Sequence, residues 1–144
     1  MDELPHAVRG SCHCGNLSFV VHTRIPPEDI RARACDCSFC RIHAARNWSD
    51  PDGGATIRVL DEQRLYKYRF ALRTADFYIC TTCGAYLGAV LADDTGTWST
   101  LNLRLTTMPV DEEIASYGAE DVGGRLERRK RVWTPTVVHV GSGE

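Results

Sequence analysis

No stretch of this sequence is apolar for long enough to cross a membrane. The longest apolar-rich run, Ala85 to Ala92, is about half of the roughly 18 residues a spanning helix needs. The opening residues, Met1 to His6, lack the basic and apolar regions of an export signal, so a cytoplasmic location is expected. There is no internal repeat, low-complexity tract or linker, and residues 1–144 are expected to form one domain. An excess of charge of either sign is also missing. The net charge is −2 with a pI near 6.2, which leaves no global field to gather nucleic acid. One local exception is Arg125 to Arg131, with five basic residues in seven. Such a run reads first as a solvated segment and second as an edge that recognises anions.

What the chain does have is an ordinary globular composition, 43% hydrophobic and 25% charged, in a length that can bury a core. β-branched and apolar segments alternate with turn residues. Leu17 to Thr23 reads as a strand that Pro26 and Pro27 end. Arg31 to Cys40 reads as a loop or knuckle built around cysteines. Past the turn cluster Ser49 to Gly54, strands are expected over Ala55–Leu60, Leu65–Phe70 and Thr74–Cys80, with Asp61 to Arg64 as a hairpin turn or single helical turn. Ala85–Ala92 and Thr97–Thr106 flank Asp93-Asp94-Thr95-Gly96, the clearest hairpin signal in the chain. Glu112 to Tyr117 suits a short helix, and Val132 to Val140 a last strand interrupted at Pro135. The expected class is all-β or mostly β, with helix a minor component.

Seven cysteines set the chemistry. Their number is odd, and the Cys12-x-Cys14 and Cys35-x-Cys37 spacings would close small strained rings if oxidised, so metal ligation is the better reading. They fall into three clusters: Cys12-His-Cys14-Gly15, Cys35-Asp-Cys37-Ser-Phe-Cys40 and Cys80-Thr-Thr-Cys83-Gly84. Two residues between thiolates let both sulfurs reach one ion, and a following glycine permits the left-handed turn that frees backbone N–H groups for the sulfurs. Zinc is the default ion for such a set. Seven ligands divide as four and three, and a zinc with three protein ligands has an open position, as catalytic zinc does. A histidine, His13, His22 or His43, would instead close a second structural site. Spacing leaves two partitions open. One pairs Cys37/Cys40 with Cys80/Cys83; the other pairs Cys12/Cys14 with Cys80/Cys83 and leaves Cys35, Cys37 and Cys40 on one loop.

These motifs, Gly10-Ser-Cys-His-Cys-Gly15, Cys35-Asp-Cys-Ser-Phe-Cys-Arg41 and Tyr78-Ile-Cys-Thr-Thr-Cys-Gly84, resemble those of the glutathione-dependent formaldehyde-activating enzymes and their centromere protein V relatives. The resemblance covers roughly residues 9 to 110. It implies an Mss4-like β-tent, a structural zinc on Cys12, Cys14, Cys80 and Cys83, and a catalytic zinc on Cys35, Cys37 and Cys40. It also implies a carbon–sulfur lyase activity that adds the thiol of glutathione to formaldehyde, giving S-hydroxymethylglutathione. The chain departs from the family over Ile42 to Ser49 and beyond about Val110, so the resemblance carries fold and metal sites further than substrate.

Within this frame, His43 lies three residues past Cys40 and is a candidate to move a proton onto the developing alkoxide. Arg41 and Arg46 are candidates for the carboxylates of glutathione. Asp36 reads as a solvated loop carboxylate and Trp48 as a core residue. The small-molecule partners expected are thus a thiol and an aldehyde, with two zinc ions. The alternative is a non-catalytic zinc module that binds a protein or nucleic acid through Arg125 to Arg131.

Overall fold

The computed structural model describes residues 3–70, 72–107, 111–115, 117 and 120–141, with the backbone alone for 111–115. Among the described residues there are eleven strands and two α-helices, so the protein is mostly β. Strands β1 (His6–Ser11) and β2 (Leu17–Thr23) form an antiparallel hairpin, and β2 pairs antiparallel with β5 (Gly54–Val59). In β2 and β5 every second side chain is buried, and Leu17, Val21, Ile57 and Val59 are sealed from solvent, the period of two that one apolar face imposes.

The rest of the sheet runs through β3 (Arg31–Cys35), β4 (Asn47–Trp48), β6 (Leu65–Tyr68), β7 (Asp76–Cys80), β8 (Tyr86–Asp93) and β9 (Gly96–Asn102). β6 to β9 form an antiparallel meander, and β9 continues through β4 to β3. The β8–β9 hairpin turns where the sequence signals it, with Thr95 donating N–H and hydroxyl to Asp93 Oδ1 at 2.8 and 2.6 Å. Asp61 to Arg64 makes a single 3-10 turn, not a hairpin, because β5 and β6 pair with different neighbours.

The last strand, β11 (Thr134–Val140), joins the two parts. Thr134 and Pro135 pair with β9, and Thr136 to Val140 run parallel to β5. Pro135 interrupts nothing: it sits where β11 changes partner, so its missing N–H costs little. Two expectations are corrected. The segment Glu112 to Tyr117 is not a helix; β10 (Asp111–Ala115) is a strand lying parallel to β3, and residue 116 lies outside the described residues. The backbone register sets Asp111 opposite Arg31 and Glu113 opposite Arg33, and pairing with the β3 edge overrides the helix propensity of glutamate. Arg31 to Cys40 is not all loop, since β3 leads into helix α1 (Ser38–His43).

Helix α2 (Val122–Val132) is a third departure from sequence expectation. Asp121 caps its start by accepting from Gly124 N at 2.7 Å, and Arg129, Lys130 and Arg131 fall in its last turn, where cations suit the helix dipole. Two core clusters result. One fills the space under β2, β5 and β8 and contains Trp48, 3% exposed, in agreement with its core reading. The other packs Phe39, Cys40, Phe77, Tyr86 and Trp133 beneath the three-cysteine segment. Among the described residues no helix is long and apolar enough to cross a membrane.

Candidate metal centres and the adjoining cavity

Two turns bring the first cysteine group together. Cys12 and Cys14 lie in the β1–β2 turn, Cys80 ends β7, and Cys83 lies in the β7–β8 turn. The turns are built alike: Cys12 N donates to Leu17 O at 2.9 Å and Cys80 N to Ala85 O at 3.0 Å, each closing five residues on. Gly15 and Gly84 take φ values of +90° and +81°, the left-handed conformation the motif requires. The four sulfur atoms lie within 4.8 Å of one another, with Cys14 Sγ 3.5 Å from Cys80 Sγ across 66 residues of chain. Leu17 N donates to Cys12 Sγ at 3.3 Å. Asn16, which sequence reading passed over, is buried and braces the turn through Asp61 N at 2.8 Å and Asp61 O at 3.2 Å.

Cys35, Cys37 and Cys40 form the second group, again with sulfurs within 4.8 Å. Cys35 ends β3, Cys37 is the N-cap of α1, and Cys40 lies on the first turn of the helix. The cap is itself the knuckle, because Cys37 Sγ accepts from Cys40 N at 3.3 Å. Behind it, Asn47 Nδ2 donates to Cys40 Sγ at 3.5 Å, and Asn47 Oδ1 accepts from the Tyr86 hydroxyl at 3.2 Å. Burial, then the cysteine charges, hold Tyr86 well above its ordinary pKa, so it stays a neutral donor.

Three thiols this close cannot all ionise alone. Hydrogen bonds from Cys35 and Cys40 pull Cys37 down to about 2, while Cys40 is pushed up, first by Cys35 and Cys37 and then by burial. A cation removes that conflict by holding every sulfur as thiolate. N–H donors aimed at sulfur in both groups suit anionic ligands as well, so each group can hold one metal ion. No histidine joins either group among the described residues.

The three-cysteine group opens onto a cavity of about 550 Å³, lined by Cys35, Cys37 and Cys40. Helix α2 contributes Arg125, Arg128 and Arg129 to the lining, together with Arg33 and Asp36. Phe77, Ala89, Leu72 and Trp133 supply an apolar wall. Glu120 bridges two of the arginines: Arg128 approaches it at 2.6 and 2.9 Å and Arg125 at 3.2 Å. Arg128 also stacks on Tyr117, 3.6 Å from the ring centroid.

The sequence-based candidates lie elsewhere. Among the described residues that line this cavity, neither His43 nor Arg41 nor Arg46 is found. His43 is exposed, stacks on Phe39 at 4.2 Å, and places Nδ1 2.9 Å from Phe39 O; a carbonyl only accepts, so Nδ1 carries the proton. Arg41 is exposed, and Arg46 donates from Nη1 to Ala45 O at 3.0 Å. Of the arginines that do line the cavity, Arg33 comes from β3, and Arg125, Arg128 and Arg129 belong to the basic run Arg125 to Arg131. Its periodicity was the available signal, because positions 125, 128 and 129 share one helical face.

No protein-family model matches the chain. It is similar to a solved structure of a Rhodobacter sphaeroides protein determined as a structural-genomics target. The two are 27% identical over 73% of this chain and 99% of that one, with a TM-score of 0.50.

Proposed function

We propose that this protein is a zinc-dependent carbon–sulfur lyase resembling S-(hydroxymethyl)glutathione synthase, adding a thiol such as glutathione to formaldehyde or a similar small electrophile. On this reading the mostly β fold is an Mss4-like β-tent. The observation that carries the proposal is the uneven grouping of seven cysteines, four in one group and three lining a cavity. All-sulfur donor sets favour zinc over hard oxygen-seeking cations. Cys12, Cys14, Cys80 and Cys83 would hold a structural ion, and Cys35, Cys37 and Cys40 the catalytic one.

Zinc held by three thiolates supplies a Lewis-acidic position at which a substrate thiol is kept deprotonated. The chain's own residues do the rest. Asn47 and Tyr86 fix the orientation of Cys40. Phe77 and Trp133 give the cavity an apolar wall, and the α2 arginines bring positive charge to its lining. That inward arrangement also favours an enzyme over a scaffold that presents Arg125 to Arg131 outward to a partner. Lys130 of the same run pairs with Asp93 at 2.5 Å.

Exchange NMR between formaldehyde and glutathione tests the proposal, since the reaction also proceeds without catalyst and only a rate comparison counts. The zinc-loaded protein should raise the exchange rate, and Cys37→Ser should abolish the increase. An exchange rate that high protein concentrations leave at the uncatalysed value rejects the lyase reading for this substrate pair.

A further inference from the structure

The basic face of α2 is not evenly compensated. Arg125 and Arg128 share the Glu120 carboxylate, and Lys130 pairs with Asp93. Arg129, between them, has no carboxylate partner among the described residues. It is also the most buried of the group, 8% exposed, and it lines the cavity that the three cysteines enter. One hydrogen bond holds it, from Nη1 to Thr74 Oγ1 at 2.6 Å, and the guanidinium lies over Trp133 at 4.7 Å. Its Nε is buried without a hydrogen-bond partner.

A buried arginine in this state is costly. An unsatisfied buried donor gives up its hydration with nothing in return, and the cost is greater when the group is charged. Such a group is kept where a ligand supplies what the protein withholds. Thr74 takes the Nη1 end, which leaves the Nε and Nη2 edge, the edge whose two parallel N–H groups match a carboxylate. Burial, then Arg125 and Arg128, lower the Arg129 pKa to about 10, the direction expected of a cation short of a counter-ion.

We propose that Arg129 anchors the carboxylate of the ligand that occupies this cavity, and that the ligand is a small mercaptocarboxylate with an apolar body. Its thiol faces Cys35, Cys37 and Cys40, its carboxylate meets Arg129, and its body lies against Phe77, Leu72 and Trp133. The thiol end rests on the reading of the three cysteines as a metal site; the carboxylate end does not. Glutathione, with a second carboxylate and an ammonium group, would need partners beyond Arg129, and the other two helix arginines that line the cavity are already engaged by Glu120.

Calorimetric titration of the zinc-loaded protein separates these parts, with 2-mercapto-3-phenylpropanoate, its carboxamide, 3-phenylpropanoate and glutathione as probes. The carboxamide should bind about tenfold or more weakly than the acid, the cost of losing a charge-assisted contact. Arg129→Met should lower affinity for the acid to that of the carboxamide while leaving the carboxamide unchanged, which a merely structural role would not do. Equal binding of acid and carboxamide to the wild-type protein overturns the proposal without recourse to any variant that fails to fold. Tighter binding of glutathione than of the mercapto acid overturns the ligand class. Cys37→Ser should erase the advantage of the mercapto acid over 3-phenylpropanoate. If that advantage persists, the metal reading fails, and the dependence of 3-phenylpropanoate on Arg129 still decides the anchor.

Discussion

Asn47 Nδ2 lies 3.5 Å from Cys40 Sγ, and the Tyr86 hydroxyl, 3.2 Å from Asn47 Oδ1, fixes which way the amide points. Neither residue is exposed: Asn47 and Tyr86 are both buried beside the three-cysteine group. Partners behind a ligand orient it and tune its charge, and their loss typically costs 10–100-fold in metal affinity. Asn47→Leu should therefore weaken metal binding at Cys35, Cys37 and Cys40 by about that factor, measured by competition with a chromogenic chelator. Tyr86→Phe, which frees the amide to rotate but keeps it, should have a smaller effect in the same direction. The four-cysteine group should hold its ion as before. Release from both groups together would show that Asn47 supports the fold and not the ligand.

Glu120 ties Arg125 and Arg128 together, and these cations hold its carboxyl below the ordinary value of 4.5, Arg128 first. A carboxyl lowered on folding contributes stability above its unfolded pKa, and that contribution fades as pH falls through the folded value. Glu120→Gln should be less stable than wild type at pH 7, by about 1 kcal/mol for a part-buried network of this kind. The gap should close as pH drops below about 4.5. Urea unfolding of both proteins at pH 7 and pH 3.5 checks it, and a gap that widens in acid contradicts the assignment.

Much of the scaffold is written in local pattern. Period-two burial in Leu17–Thr23 and the Asp93 to Gly96 turn are visible in the residues, and the structure has a strand and a hairpin there. β1 escaped notice because His6 to Ser11 carries only one large aliphatic side chain, Val8, and depends on β2 for its pairing. β10 escaped because its acidic composition favours helix and only the β3 edge makes it a strand. α2 was hidden for the opposite reason. With Gly123, Gly124 and five basic residues, it shows almost no apolar stripe, and it buries an arginine instead of a leucine. At the site, the cysteines were legible from spacing because ligand geometry is local. The residues that act on them were not. Tyr86 on β8 and Arg129 on α2 meet Cys40 or its cavity only through tertiary packing across dozens of residues, and Asn47, seven residues from Cys40, is held onto its sulfur by the pairing of β4 with β9.

Gly88 on β8 pairs with Leu101 on β9, and a Cβ built there would stand 2.4 Å from Thr100 O and 2.8 Å from Leu101 Cδ2. The backbone carbonyl cannot yield without opening the hairpin. Gly88→Ala should destabilise the protein by about 1–3 kcal/mol, the usual cost of overpacking a tight core. Since neighbouring Ala89 lines the cavity, the same shift should also weaken ligand binding there. Thermal unfolding with a lowered midpoint checks the first effect; an unchanged midpoint would show that β8 and β9 separate more easily than their packing indicates.

The two cysteine groups should respond differently to the loss of one sulfur. Cys80 belongs to the group that joins the β1–β2 turn to the β7–β8 turn, so its ion would act as a cross-link between distant parts of the chain. A structural zinc contributes on the order of 10–16 kcal/mol of apparent binding free energy, comparable with the whole stability of a domain at about 5–15 kcal/mol. Cys80→Ser should therefore unfold the protein or leave it folded only at low temperature. Cys35, Cys37 and Cys40 are drawn from one short segment, and the chain around them is held by β3 pairing and by the cluster of Phe39, Phe77, Tyr86 and Trp133. Cys37→Ser should lose one of two metal ions and keep the fold, as read by elemental analysis together with circular dichroism. Equal unfolding by both substitutions would make the three-cysteine group structural and remove the open position on which the lyase proposal depends.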